Sequence, residues 1–142
     1  MPRPWQILIA EDSRSDVLLI RQALQKSGLK AQIYVADDGE KAVRFFEQAD
    51  ADPEAPCPHL ILLDINMPCY KGGEILRRLR ASARCRNALV LVVTSSDSQR
   101  DREEMQALGA NGYFRKPSEF SAFMRLGQIV RDLLAQEDRL SS

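Results

Sequence analysis

The stretch Leu60-Ile61-Leu62-Leu63-Asp64-Ile65-Asn66-Met67-Pro68 runs four apolar residues straight into an aspartate. A short apolar run bounded by turn residues predicts a strand buried on both faces. Met67-Pro68 closes it, because proline fixes φ and donates no N–H. Asp64 is thereby placed at the carboxyl end of a buried strand, the edge at which open α/β sheets bind ligands. Taken alone, Asp64 reads equally well as a helix-capping aspartate behind a core strand. The flanking sequence decides between the two.

On the amino-terminal side, Gln6-Ile7-Leu8-Ile9-Ala10 predicts a first strand, with Glu11-Asp12 directly after it. Ser13-Arg14-Ser15-Asp16 supplies cap-type residues for a helix. That helix buries Val17, Ile20 and Leu24 and stops at Gly28. Ala31 to Ala36 reads as a second strand, Asp37-Asp38-Gly39 as a turn, and Glu40 to Gln48 as a helix burying Ala42, Val43 and Phe46. Ala49 to Pro58, with its three prolines and three acids, reads as a surface loop.

On the carboxyl side, Gly72-Gly73 precedes a basic helix, Glu74 to Ser82. Ala88 to Thr94 is the second run that reads as fully buried. Ser95-Ser96-Asp97 starts a polar helix to about Leu108, with little beyond Met105 and Leu108 to bury, so it is expected to dock weakly. Asn111 to Arg115 predicts a short last strand, followed by Lys116-Pro117. Ser118 is expected to cap a final helix to about Ala135, and residues 136–142 a polar tail. Five alternations of strand and helix predict a three-layer α/β/α fold. It is a doubly wound parallel sheet of order 2-1-3-4-5, flavodoxin-like, spanning residues 6–135.

The 142 residues suit one core, and 44% hydrophobic content argues against disorder. Lys+Arg and Asp+Glu both number 20, so the net charge is zero. That argues against a nucleic-acid binder driven by counterion release. No apolar run approaches a membrane span, and Met1 to Trp5 lacks a secretory core, so a cytoplasmic protein is expected. Cys57, Cys69 and Cys85 fit neither a disulfide framework nor a CxxC metal site and are read as free thiols.

In the assumed strand order the carboxyl ends bring Glu11, Asp12 and Asp64 into one cleft, with Thr94 and Lys116 at its rim. Carboxylates that close raise one another's pKa unless a cation intervenes. A hard divalent ion suits such oxygen donors, and Mg2+ takes one or two carboxylates plus waters and a phosphate. A lysine adds a point charge for phosphate. Together these groups suit phosphoryl transfer to an aspartate nucleophile.

These residues resemble the receiver domain of two-component response regulators. The carrying motifs are Glu11-Asp12, the run Asp64 to Pro68 with Gly72, Thr94, and Lys116-Pro117, over about residues 6 to 135. The resemblance implies that Asp64 is the phosphoacceptor. Asp12, Asp64 and the Asn66 backbone carbonyl would hold Mg2+, with Glu11 acting nearby through water. Thr94 and Lys116 would contact the phosphoryl oxygens, and Tyr113 would be the aromatic that moves inward as Thr94 is drawn to the phosphate. Glu11 stands where aspartate is commoner in the family. The start Ala-Glu-Asp-Ser, the long loop before His59 and the Lys-Pro-x-x-Phe-x-x-Phe run at Lys116 to Phe123 look most like the stand-alone regulators paired with phytochrome-type histidine kinases.

Plainer readings exist for each residue. Glu11-Asp12 would also favour a helix N-terminus, Thr94 to Ser96 would serve as a capping cluster, and Tyr113 as a half-buried strand aromatic. His59 reads as structural or solvated rather than as a ligand, and Arg77, Arg78 and Arg80 as a solvated helix face. Phe120, Phe123, Met124, Leu126, Ile129, Val130, Leu133 and Leu134 make the last helix apolar around much of its girth. A second exposed stripe there would mark a partner surface, and it motivates a homodimer through this helix and the last strand.

The expected protein is a signalling phosphoacceptor rather than an enzyme. It would be phosphorylated by a sensor histidine kinase and, with no output domain after Lys116, would act by docking a downstream protein. A Mg2+-dependent phosphohydrolase with an aspartyl nucleophile is the competing reading. It usually needs an acid where Asn66 stands and a substrate cap for which the chain has no room. A pseudo-receiver working without phosphorylation is the third.

Overall fold

The structure is a computed structural model describing residues 4–141, with side chains through Glu137. Met1 to Arg3, part of the start read above, and Ser142, the end of the expected tail, lie outside the described residues. Five strands, β1 (Trp5–Ala10), β2 (Ala31–Ala36), β3 (Leu60–Leu63), β4 (Leu89–Thr94) and β5 (Gly112–Arg115), form one parallel sheet in the order β2-β1-β3-β4-β5. Six helices connect and close it: α1 (Arg14–Lys26), α2 (Gly39–Ala51), α3 (Gly72–Ala81), α4 (Gln99–Ala107), α5 (Phe120–Phe123) and α6 (Leu126–Ser141).

The strand pleat sorts the core into two layers. Leu8, Ala10, Ile61, Leu63, Val90 and Val92 face a cluster completed by α2, α3 and Met105 of α4. Ile7, Ile9, Leu60, Leu62, Leu91 and Val93 face the opposite cluster, completed by α1, Phe123 of α5, and α6. Every residue of β3 and β4 is buried, which is why those two strands read as unbroken apolar runs.

Several expectations are corrected. α2 continues to Ala51, so Ala49, Asp50 and Ala51 are helical and not part of the surface loop. Ala49 is buried, and the Asp50 carboxylate accepts from Ser82 Oγ and the Ala83 and Arg84 amides, holding the helix end in place. α3 begins at Gly72, two residues early. A Cβ at Gly72 would sit 2.5 Å from Ile65 Cγ2 and 2.7 Å from Ile65 Cα, so the helix start presses on the backbone beside Asp64. α4 begins at Gln99, capped by Ser98, whose side chain accepts from the Asp101 amide.

The last helix is two helices. Glu119, not Ser118, precedes α5 and makes no side-chain cap. The chain tightens at Met124-Arg125, where Arg125 N–H donates to Ala122 O and Gly127 N–H to Met124 O. α6 then runs through the polar residues 136–141 that were expected to form a tail. Met124, Ile129 and Leu133 are partly buried against the core. Among the described residues the exposed large apolar side chains are Leu18, Val35 and Phe120, so α6 does not present the second exposed stripe.

Cys57 and Cys85 are not free thiols: they form a disulfide, with Cα atoms 5.5 Å apart, and Cys69 alone is free and exposed. The two halves meet because Arg84 donates to the carbonyls of Ala49, Asp52 and Ala55, folding the loop after α2 onto the turn after α3. Arg80 is likewise no solvated residue. Its guanidinium donates to the carbonyls of Arg86, Ala88 and Gly109, tying α3 to both ends of the next βα unit. His59 is structural, as read: Nδ1 accepts from the Gln6 amide and the ring stands edge-on to Trp5.

Candidate functional site

Glu11, Asp64 and Lys116 each stand one step past a strand, whereas Thr94 is the last residue of β4 and Tyr113 lies within β5. The parallel ladder continues beyond the strand ends, with Glu11 N–H donating to Ala36 O, Asp64 N–H to Ala10 O, and Lys116 N–H to Thr94 O. These bonds set Glu11, Asp64 and Lys116 side by side along the carboxyl edge of the sheet. Glu11, Asp12 and Asp64 each offer an oxygen within 4.8 Å of the others. Glu11, at 2% exposure, and Asp64, at 8%, are buried, whereas Asp12 is exposed at the mouth.

Lys116 is the cation of the site. Its ammonium donates to Glu11 Oε1 at 2.5 Å, Asp16 Oδ2 at 2.7 Å and Asp64 Oδ2 at 3.0 Å. Asp64 Oδ1 accepts from the Asn66 amide at 3.0 Å, which fixes the carboxylate's orientation. Glu11 Oε2 accepts from the Ser13 amide, at the N-cap of α1.

Burial is the largest influence on Glu11 and, with the charge of Asp64, outweighs the Lys116 and Ser13 hydrogen bonds, pushing its carboxyl up to about 7. Burial works against the Lys116 ammonium too, but the bonds to Asp16 and Glu11 and the charge of Asp64 more than offset it. They hold the ammonium above the usual lysine range. A buried acid pushed up beside a second carboxylate marks a site short of positive charge. The all-oxygen donor set fits a hard divalent cation.

Thr94 is fully buried, and its Oγ1 accepts from the Ser96 amide at 3.4 Å. Tyr113 is half-buried on β5. Its hydroxyl donates to Ser96 O at 2.9 Å, and Arg102 of α4 lies 4.5 Å over its ring. Thr94 and Tyr113 thus meet at one loop, Ser95 to Ser98, which leads into a helix anchored in the core by Met105. Beside the acids, a cleft of about 380 Å³ is walled by Val17, Leu18 and Val35.

Sequence reasoning missed Asp16. By sequence it reads as a helix-opening residue, which it also is: its amide donates to Ser13 Oγ. Nothing in the local pattern pairs it with a lysine 100 residues away.

The profile of the response regulator receiver domain matches residues 7–126, and the chain belongs to that family of two-component signalling proteins. Receiver domains accept a phosphoryl group from histidine kinases and bind Mg2+ or Mn2+ at an acidic pocket. Among its relatives is the response regulator Rcp1 of Synechocystis sp., 30% identical over 127 residues that span 89% of this chain and 86% of Rcp1. The crystal structure of the phosphorylated cyanobacterial phytochrome response regulator RcpA is similar, with a TM-score of 0.82. It is 26% identical and the match covers 92% of this chain and 93% of that one. The Mn2+-bound form of Rcp1 matches with a TM-score of 0.79 and 29% identity, over 89% of this chain and 91% of that one. The chain is thus related to phytochrome response regulators. Among the described residues no helix is long and apolar enough to cross a membrane.

Proposed function

We propose that Asp64 is the phosphoacceptor of this receiver, taking its phosphoryl group from a phosphohistidine of a sensor kinase. The observation that carries the reading is the Asp64 carboxylate itself. It is fixed by the Asn66 amide, 3.0 Å from an ammonium, and inside a three-acid cluster at the sheet's carboxyl edge. A carboxylate oxygen of Asp64 attacks phosphorus, the P–N bond to the donor imidazole breaks, and the electron pair leaves with that nitrogen. Lys116 offsets charge on the phosphoryl oxygens, and the Thr94 hydroxyl turns toward them. Glu11, Asp12, Asp64 and the Asn66 carbonyl would hold Mg2+, which when bound supplies further positive charge for the same oxygens.

The output is a change of surface. Drawing Thr94 toward the phosphoryl group frees its oxygen from the Ser96 amide. The loop that also accepts the Tyr113 hydroxyl then shifts, and α4 and Tyr113 move with it. A downstream protein reads that surface. The kinase is of the phytochrome type, a reading supported by what RcpA is called and by the Lys116 to Phe123 run. The protein acts in the cytoplasm and does not turn over a substrate. Among the described residues no second exposed stripe on α6 supports the homodimer expected through α6 and β5, and mass in solution with and without phosphorylation tests it.

The deciding experiment is intact mass after incubation with acetyl phosphate, with and without Mg2+, on the wild type and on Asp64→Asn. One phosphoryl group gained only with both Mg2+ and Asp64 is the expected result. A wild type that gains none from acetyl phosphate or from a phosphorylated phytochrome-type kinase overturns the reading.

A further inference from the structure

The three N–H donors of the Lys116 ammonium go to three carboxylates, and the three are not equivalent. Glu11 and Asp64 belong to the cluster whose oxygens converge within 4.8 Å, and Asp16 stands outside it. A divalent cation at that cluster draws the Glu11 and Asp64 oxygens to itself and repels an ammonium. Phosphorylation of Asp64 then converts its carboxylate to an acyl phosphate, so the carboxylate charge facing Lys116 is lost. Asp16 is the one partner that neither event takes away. An aspartate in a first helical turn gains from the helix dipole with its side chain in solvent. This one instead reaches from α1 across the site to the end of β5, with its backbone fixed by Ser13 Oγ.

Resting on the roles proposed for Asp64 and Lys116, we infer that Asp16 is a positioning residue. It holds the Lys116 ammonium at the site while the cation and the phosphoryl group occupy the other two carboxylates. It also neutralises the ammonium, so the cation meets a neutral Lys116–Asp16 pair instead of a competing charge. Without Asp16, Lys116 leans wholly on Glu11 and Asp64 and must be displaced before a cation enters.

A double-mutant cycle tests this with two readouts. Mn2+ binding is followed by loss of the free-ion paramagnetic resonance signal, and phosphoryl gain from acetyl phosphate by intact mass. Both are run on the wild type, Asp16→Asn, Lys116→Ala and the double variant. Removing a charge-assisted partner predicts that Asp16→Asn weakens Mn2+ binding and slows phosphoryl gain by about tenfold each. In the Lys116→Ala background the same change moves Mn2+ affinity by less than about twofold. Asp16→Glu, which keeps the charge, restores most of both. Equal losses in the two backgrounds, the signature of a lost helix-end charge, overturn the inference. Asp16→Ser, suited to a first helical turn, repeats the cycle if the asparagine variant melts early. A wild type that takes no phosphoryl group refutes the Asp64 reading alone, because the Mn2+ cycle still decides for or against Asp16.

Discussion

Glu11→Gln should stabilise the metal-free protein, and the gain should depend on pH. Burial beside Asp64 raises the Glu11 carboxyl from 4.5 to about 7. The fold therefore binds a proton that the unfolded chain has released anywhere between those values. Wherever the native state binds more protons, the free energy of unfolding falls as pH rises. Its loss is complete above about pH 7 and absent below 4.5. Moving a carboxyl pKa across that interval corresponds to about 3 kcal/mol. Glutamine does not titrate and never incurs it. Urea unfolding in EDTA should show Glu11→Gln about 3 kcal/mol more stable than wild type at pH 8 and less than about 1 kcal/mol more stable at pH 5. With a slope of about 1.5–2 kcal/mol/M, that is a midpoint shift of about 1.5–2 M urea at pH 8. Adding Mg2+ should narrow or invert the difference, since the variant lacks a carboxylate with which to bind it. A variant equally or less stable than wild type at pH 8 without metal refutes the reasoning. So does the same gain at both pH values.

Four further outcomes follow from other parts of the molecule. Gly72→Ala forces a methyl against Ile65 Cγ2 and Cα, and urea unfolding should show a loss of about 1–3 kcal/mol. Under non-reducing conditions, alkylation followed by mass measurement should label Cys69 alone. Reducing the Cys57–Cys85 bond, which spans a sequence separation of 28, should lower stability by about 3–4 kcal/mol on loop-entropy grounds. Tyr113→Phe removes the hydrogen bond to Ser96 O. It should cost about 0.5–1.5 kcal/mol and speed amide exchange in the loop leading into α4.

What the sequence made legible, and what it hid, divides along one physical line. A strand buried on both faces writes its burial into consecutive residues, so Leu60 to Leu63 and Leu89 to Thr94 were readable directly, and the sheet order followed. A residue just past a strand inherits its place from the parallel ladder, so Glu11, Asp64 and Lys116 were readable too. The bonds to Ala36 O, Ala10 O and Thr94 O leave them little choice of position. Properties that depend on how separate elements meet have no such local record. The run from Ser118 to Ala135 keeps a helical period, yet the chain breaks at Met124-Arg125. The break aims α6 at α1, where a Cβ on Gly127 would lie 2.2 Å from Ala23 O, and only packing against α1 sets that constraint. Cys57 and Cys85 meet because Arg84 gathers three carbonyls from the end of α2, a bond pattern that no cysteine spacing encodes. Asp16 is the sharpest case, because two forces act on one side chain. Locally, its amide bonds to Ser13 and its place in a first helical turn account for it completely. A local explanation that already suffices conceals a second role. The bond to Lys116 becomes visible only once β5 has brought the lysine across the sheet to α1.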